Sequence, residues 1–119
     1  MLNRIEVGID CRDARRLAEF WAAALGYRVG ELDADGVFLD LIPPDPRLPV
    51  IYLQQVREPK RTKNRVHLDL FVDDPEKTVA RLFTLGASAV DRPRTGSDGG
   101  WWQVMADPEG NEFCVCKTD

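Results

Sequence analysis

The chain is built on an internal repeat, and a repeat of this kind decides architecture before any single residue does. Ile5-Glu6-Val7-Gly8-Ile9-Asp10-Cys11-Arg12-Asp13 and Val66-His67-Leu68-Asp69-Leu70-Phe71-Val72-Asp73-Asp74 both alternate apolar and polar side chains and both end at an aspartate. Alternation at period two makes each a strand, with Ile5, Val7 and Ile9 on one face and Glu6 and Gly8 on the other. In the second copy Val66, Leu68 and Leu70 share a face, and His67 and Asp69 share the opposite one.

A helix follows each strand. The first is predicted over about residues 13–25, with Leu17, Phe20, Trp21, Ala24 and Leu25 at helical spacing. The second is predicted over about residues 75–85, with Val79, Leu82, Phe83 and Leu85 as its stripe and Pro75 at the first helical position. Each ends in Leu-Gly, where glycine takes the left-handed conformation that stops a helix. Short extended segments come next: about residues 27–30, 37–41 and 50–56, then 88–91, 101–105 and 112–117. Breaks rich in Gly, Pro and Asp separate them.

The pattern is therefore βαβββ, twice: an α+β fold whose halves can build one eight-stranded sheet with the helices packed outside. Module one covers about residues 1–57, a basic polar linker about 57–63, and module two about 64–119. Each half is too small to bury an adequate core alone, so a single domain is expected.

Composition removes several classes of function. The net charge of -4 gives no electrostatic reason to bind nucleic acid or an anionic membrane. No apolar run approaches the roughly 20 residues that span a bilayer. Residues 1–4 lead straight into the first strand with no apolar signal core, and three cysteines cannot all pair internally. A reduced, cytoplasmic setting is the expectation. There is one histidine, His67. The segment 92–100 reads as an exposed polar loop. Phosphate loops, dinucleotide fingerprints and nucleophile elbows are absent.

The paired modules, the two Leu-Gly endings and the tail Asp107-Pro108-Glu109-Gly110-Asn111-Glu112-Phe113 resemble the vicinal oxygen chelate superfamily. The stretch Lys63-Asn64-Arg65-Val66-His67-Leu68-Asp69-Leu70 is similar to its glyoxalase-like branch. The resemblance covers nearly the whole chain. It implies a curled sheet forming a cup, a homodimer, and a small-molecule ligand. In metal-dependent members four ligands sit in the cup, and position by position these fall on Glu6, Gln54, His67 and Cys114. Two positions depart from the usual pattern: Glu6 replaces a histidine, and Cys114 replaces a glutamate. The implied cofactor is one divalent metal of unspecified identity, with Glu6 as the implied catalytic base.

The residues themselves leave alternatives open. Imidazole, carboxylate, amide and thiol form a mixed set that no single metal favours throughout. Glu6 and His67 are equally suited to hydrogen bonding in a polar cup, and Cys11, Cys114 and Cys116 to packing as small hydrophobes. If Glu6 faces His67, its carboxylate raises the histidine pKa. Alternation places Tyr52 with Gln54, and Asp69 and Phe71 with His67. Of Trp101 and Trp102, which must face opposite ways, Trp102 is assigned to the cup. Tyr52, Asp69, Phe71 and Trp102 are thus the expected ligand-binding residues, a polar centre with an aromatic wall. Three functions fit: a metal-dependent lyase, isomerase or dioxygenase-type enzyme, a metal-free binding or sequestering protein, and an accessory ligand-binding module. With the four-ligand set incomplete, methylglyoxal–glutathione chemistry is not expected.

Overall fold

The computed structural model describes residues 1–119. They divide into two compact units, Met1–Lys60 and Arg61–Asp119.

In the first unit β1 (Val7–Cys11) leads to α1 (Ala14–Leu25), then β2 (Arg28–Leu32), β3 (Phe38–Ile42) and β4 (Ile51–Gln55). These strands form one sheet in the order β1-β4-β3-β2, with β1 parallel to β4 and the other pairs antiparallel. Asp13 caps the helix by accepting from the Arg16 N–H at 3.2 Å, and Gly26 ends it at φ 70°. The Ala14 N–H, another donor with no partner inside the helix, donates to Gln55 Oε1 at 3.1 Å, tying α1 to β4. The helix buries Leu17, Phe20 and Trp21, and the sheet buries Leu39, Leu41, Ile51 and Leu53. Those four alternate along β3 and β4, so one sheet face packs on α1 and carries the core.

The second unit repeats the plan. β5 (Leu68–Val72) leads to α2 (Pro75–Leu85), then β6 (Ser88–Ala89), β7 (Arg94–Thr95), β8 (Trp101–Ala106) and β9 (Glu112–Lys117). The sheet order is β5-β9-β8-β6, with β7 also paired to β8. Asp74 caps α2 through the Lys77 N–H at 3.1 Å. Val79 and Leu82 of α2 are buried, as are Met105, Phe113 and Val115 on the sheet face toward the helix.

The α+β class and both βαβββ modules stand as expected, but the strands number nine rather than eight and fall into two sheets, one per unit, rather than one. The addition is β7, inside the segment read as an exposed loop. Pro93 has no N–H to contribute, which splits the edge into two short pieces. Gln103 fills in, donating from Nε2 to the Asp91 carbonyl at 3.0 Å.

Other expectations need correcting. Ile5 and Val66 lie outside the strands and are 64% and 84% exposed. Phe83 is exposed rather than part of the α2 stripe. One helical step of about 100° from the buried Leu82 carries it onto the flank. Cys116 is half-buried, whereas Cys11 and Cys114 are buried.

Candidate functional site

The helix side of each sheet is filled with core, so the side chains of the opposite face are the ones left for other contacts. In the second unit the register fixes which residues share that face. Asp69 lies across from Cys114, and Cys114 across from Val104. One step along, Phe71 lies across from Cys116, Cys116 from Trp102, and Trp102 from Arg94. The result is a row headed by the Asp69 carboxylate beside a row of Phe71, Cys116 and Trp102 that ends at Arg94. Phe71 and Trp102 are both exposed.

His67 immediately precedes β5 and continues its alternation. Its Nε2 lies 3.2 Å from Asp69 Oδ1, both side chains being a little under half exposed. Cys114 closes the group: the donor atoms of His67, Asp69 and Cys114 all lie within 4.8 Å of one another. A carboxylate in contact with His67 is thus supplied by Asp69, within the same unit. Glu6 is held by Arg4, whose Nε donates to it at 2.7 Å.

Burial pushes the Cys114 thiol from an ordinary 9.0 up to about 11, and the negative Asp69, which accepts a hydrogen bond from it, and Cys116 add to the effect. Lys63 works weakly in the other direction. Burial and Asp69 also raise the Cys116 thiol. The consequence for stability has a definite sign. Below about pH 9 the proton is bound in both folded and unfolded chains, and the Cys114 contribution is complete. As the pH rises through about 11 the contribution is lost, because the unfolded chain gives up its proton first. Urea midpoints at about pH 8 and about pH 10.5 are expected to fall more for the natural chain than for Cys114→Ser. Equal falls would contradict this environment for Cys114.

In the first unit Gly8 lies across from Tyr52 and Tyr52 from Asp40, while Asp10 lies across from Gln54 and Gln54 from Phe38. The Tyr52 ring lies over Gly8: a Cβ there would meet its Cζ and Oη at 2.6 Å. Tyr52 also makes an edge contact with Phe38, ring centroids 6.0 Å apart. Glu6 and Arg4 belong to a separate groove of about 450 Å³, lined by residues 2–6 and 46–50.

The expected residues therefore fall as follows. His67, Asp69 and Cys114 come together, with Phe71 and Trp102 in the next row. Tyr52 and Gln54 share the face of the first sheet away from α1, and Glu6 stands at the groove. The sequence reading named Asp69 as a ligand-binding residue but did not group its carboxylate with His67 and Cys114, although its position two residues after His67 was a signal for it. It also missed Phe38 and Gly8, which set the position of the Tyr52 ring. Three donors of different type fit a borderline ion such as zinc better than a hard one such as magnesium.

Comparison with known proteins adds the family context. The family model described as "Glyoxalase-like domain" matches residues 6–116. No curated protein matches the chain. Among solved structures, a member of the glyoxalase/bleomycin resistance protein/dioxygenase superfamily from Sphaerobacter thermophilus superposes with a TM-score of 0.75 at 18% identity, covering 99% of this chain and 98% of that one. The fosfomycin resistance protein FosX from Mesorhizobium loti gives a TM-score of 0.74 at 15% identity, covering 100% and 94%. TioX from Micromonospora gives a TM-score of 0.68 at 18% identity, covering 97% and 98%. At these identities the likeness shows the fold alone.

Proposed function

Since the chain belongs to the glyoxalase-like domain family, we propose that it binds a small, partly planar organic molecule on the face of its second sheet that lies away from α2. The observation carrying this reading is the shared register of the His67–Asp69–Cys114 group and the Phe71–Cys116–Trp102 row. The first can hydrogen-bond or charge-pair with polar atoms, and the second offers apolar and aromatic surface. A fosfomycin resistance protein among the structural neighbours is consistent with small-molecule chemistry on this fold.

The metal-dependent enzyme is the reading we favour. Of the four positions implied by resemblance, His67 and Cys114 would hold a divalent ion. Such an ion, when bound, supplies Lewis-acid polarisation of a ligand oxygen. The protein's own share is to orient the ligand against Phe71 and Trp102 and to hold the His67 imidazole in place through Asp69. The apolar character of the Phe71–Cys116–Trp102 row favours a second reading, a metal-free binding or sequestering protein.

Both readings predict that planar carbonyl or aromatic compounds quench indole fluorescence, and that Trp102→Phe removes most of the quenching. Phe71→Ala should weaken binding by about tenfold or more, the effect of losing one well-placed aromatic contact plus its buried area. Turnover that requires added metal would select the enzyme, and binding without turnover the sequestering protein. Full quenching in the Trp102→Phe variant would contradict both.

A further inference from the structure

One of the three donors that converge in the second unit is not among those the family pattern nominates. Asp69 has no place in the four-position set, yet it stands between the other two donors. Its Oδ1 is 3.2 Å from His67 Nε2, and it lies directly across from Cys114 in the β5–β9 register. Around a tetrahedral zinc, donors stand roughly 3.3–3.7 Å apart, given bond lengths of about 2.0–2.3 Å. A group lying within 4.8 Å needs only side-chain rotation to reach that spacing. The His67 and Asp69 side chains are a little under half exposed, which leaves room for that adjustment, whereas Cys114 is buried.

We propose that His67, Asp69 and Cys114 form a three-donor nitrogen–oxygen–sulfur site for a zinc-class ion, supplied wholly by the second βαβββ unit and needing neither Glu6 nor Gln54. Three protein ligands leave one tetrahedral position open, the arrangement of catalytic rather than structural zinc. The thiol makes the site selective, since magnesium and manganese prefer oxygen donors. Glu6 is occupied by Arg4, and Gln54 offers only a neutral amide oxygen, a weak donor. The inference rests on reading this face as the ligand site.

Cobalt(II) titration of the full chain tests it, because a cobalt–thiolate bond gives a charge-transfer band in the near ultraviolet. The band is expected to saturate at a single ion per chain, to be bleached by zinc, and to survive excess magnesium. Cys114→Ser should abolish it. Asp69→Asn and His67→Ala should weaken cobalt binding by more than about tenfold, at least the loss seen when a supporting group of a metal site is removed. Glu6→Gln and Gln54→Ala should leave band and affinity unchanged. Asp69→Asn alters an exposed side chain, so it remains informative if Cys114→Ser fails to fold. No thiolate band in the natural chain, a band that persists in Cys114→Ser, displacement by magnesium, or loss of binding in Glu6→Gln or Gln54→Ala would each overturn the proposal. Absent cobalt binding together with intact quenching of Trp102 by organic compounds would sink the metal site alone. Normal cobalt binding with no organic ligand would sink the small-molecule reading instead.

Discussion

Trp21→Ala is expected to lower the folding free energy by about 3–5 kcal/mol, the usual cost of truncating a fully buried tryptophan. Trp21 is 1% exposed on the sheet-facing side of α1. Its ring meets Phe20 edge-on with centroids 5.3 Å apart. Removing the indole deletes the largest side chain of the first core and leaves a cavity beside residues already fixed in strands. A domain of this size is stable by only about 5–15 kcal/mol, so the variant should unfold at a much lower urea concentration. A loss below about 1 kcal/mol would contradict the packing of α1 on β3 and β4.

Asp107→Ala carries the second large effect, for a different reason. Asp107 is 2% exposed, and its carboxylate accepts from the Glu109 N–H at 2.8 Å, the Asn111 N–H at 3.0 Å and Asn111 Nδ2 at 3.1 Å. Its own N–H donates to the Asn111 carbonyl at 2.8 Å. One side chain thus satisfies the polar groups of the turn between β8 and β9, and Gly110 completes that turn at φ 91°. Alanine would leave those donors without their acceptor. Hydrogen bonds to a charged group contribute about 1.5–3 kcal/mol each and do not sum simply, so about 2–4 kcal/mol is expected from thermal or urea unfolding. The turn sets the β8–β9 register, which aligns Cys114 with Val104 and Cys116 with Trp102. Cobalt binding should weaken in the same variant. Asp107→Asn keeps one acceptor oxygen and should lose less. Equal losses from Asn and Ala would show that the carboxylate is not the staple of this turn.

Much of the fold was legible because its signals are local. Helix α2 runs Pro75–Leu85 as the proline, the stripe and the Leu-Gly ending indicate, and β9 runs Glu112–Lys117 as expected. Alternation alone put His67 and Asp69 on one face. What stayed hidden depends on pairing between distant segments. That Asp69 stands beside Cys114 follows from the parallel β5–β9 register, which no pattern within either strand specifies. The short β7 was hidden for the same reason: Pro93 and the surrounding glycines read as a loop, and only pairing with Trp101 and Trp102 makes Arg94–Thr95 a strand. The tyrosine ring over Gly8 likewise needs the β1–β4 register before the glycine acquires a reason.

What matters most is where a small molecule binds. Amide and indole NMR shifts, recorded while a planar carbonyl compound is titrated into the full chain, locate it directly. Shifts are expected to concentrate at Asp69, Phe71, Cys114, Cys116 and Trp102. Shifts confined to the groove of residues 2–6 and 46–50, or to the outer surfaces of α1 and α2, would contradict it.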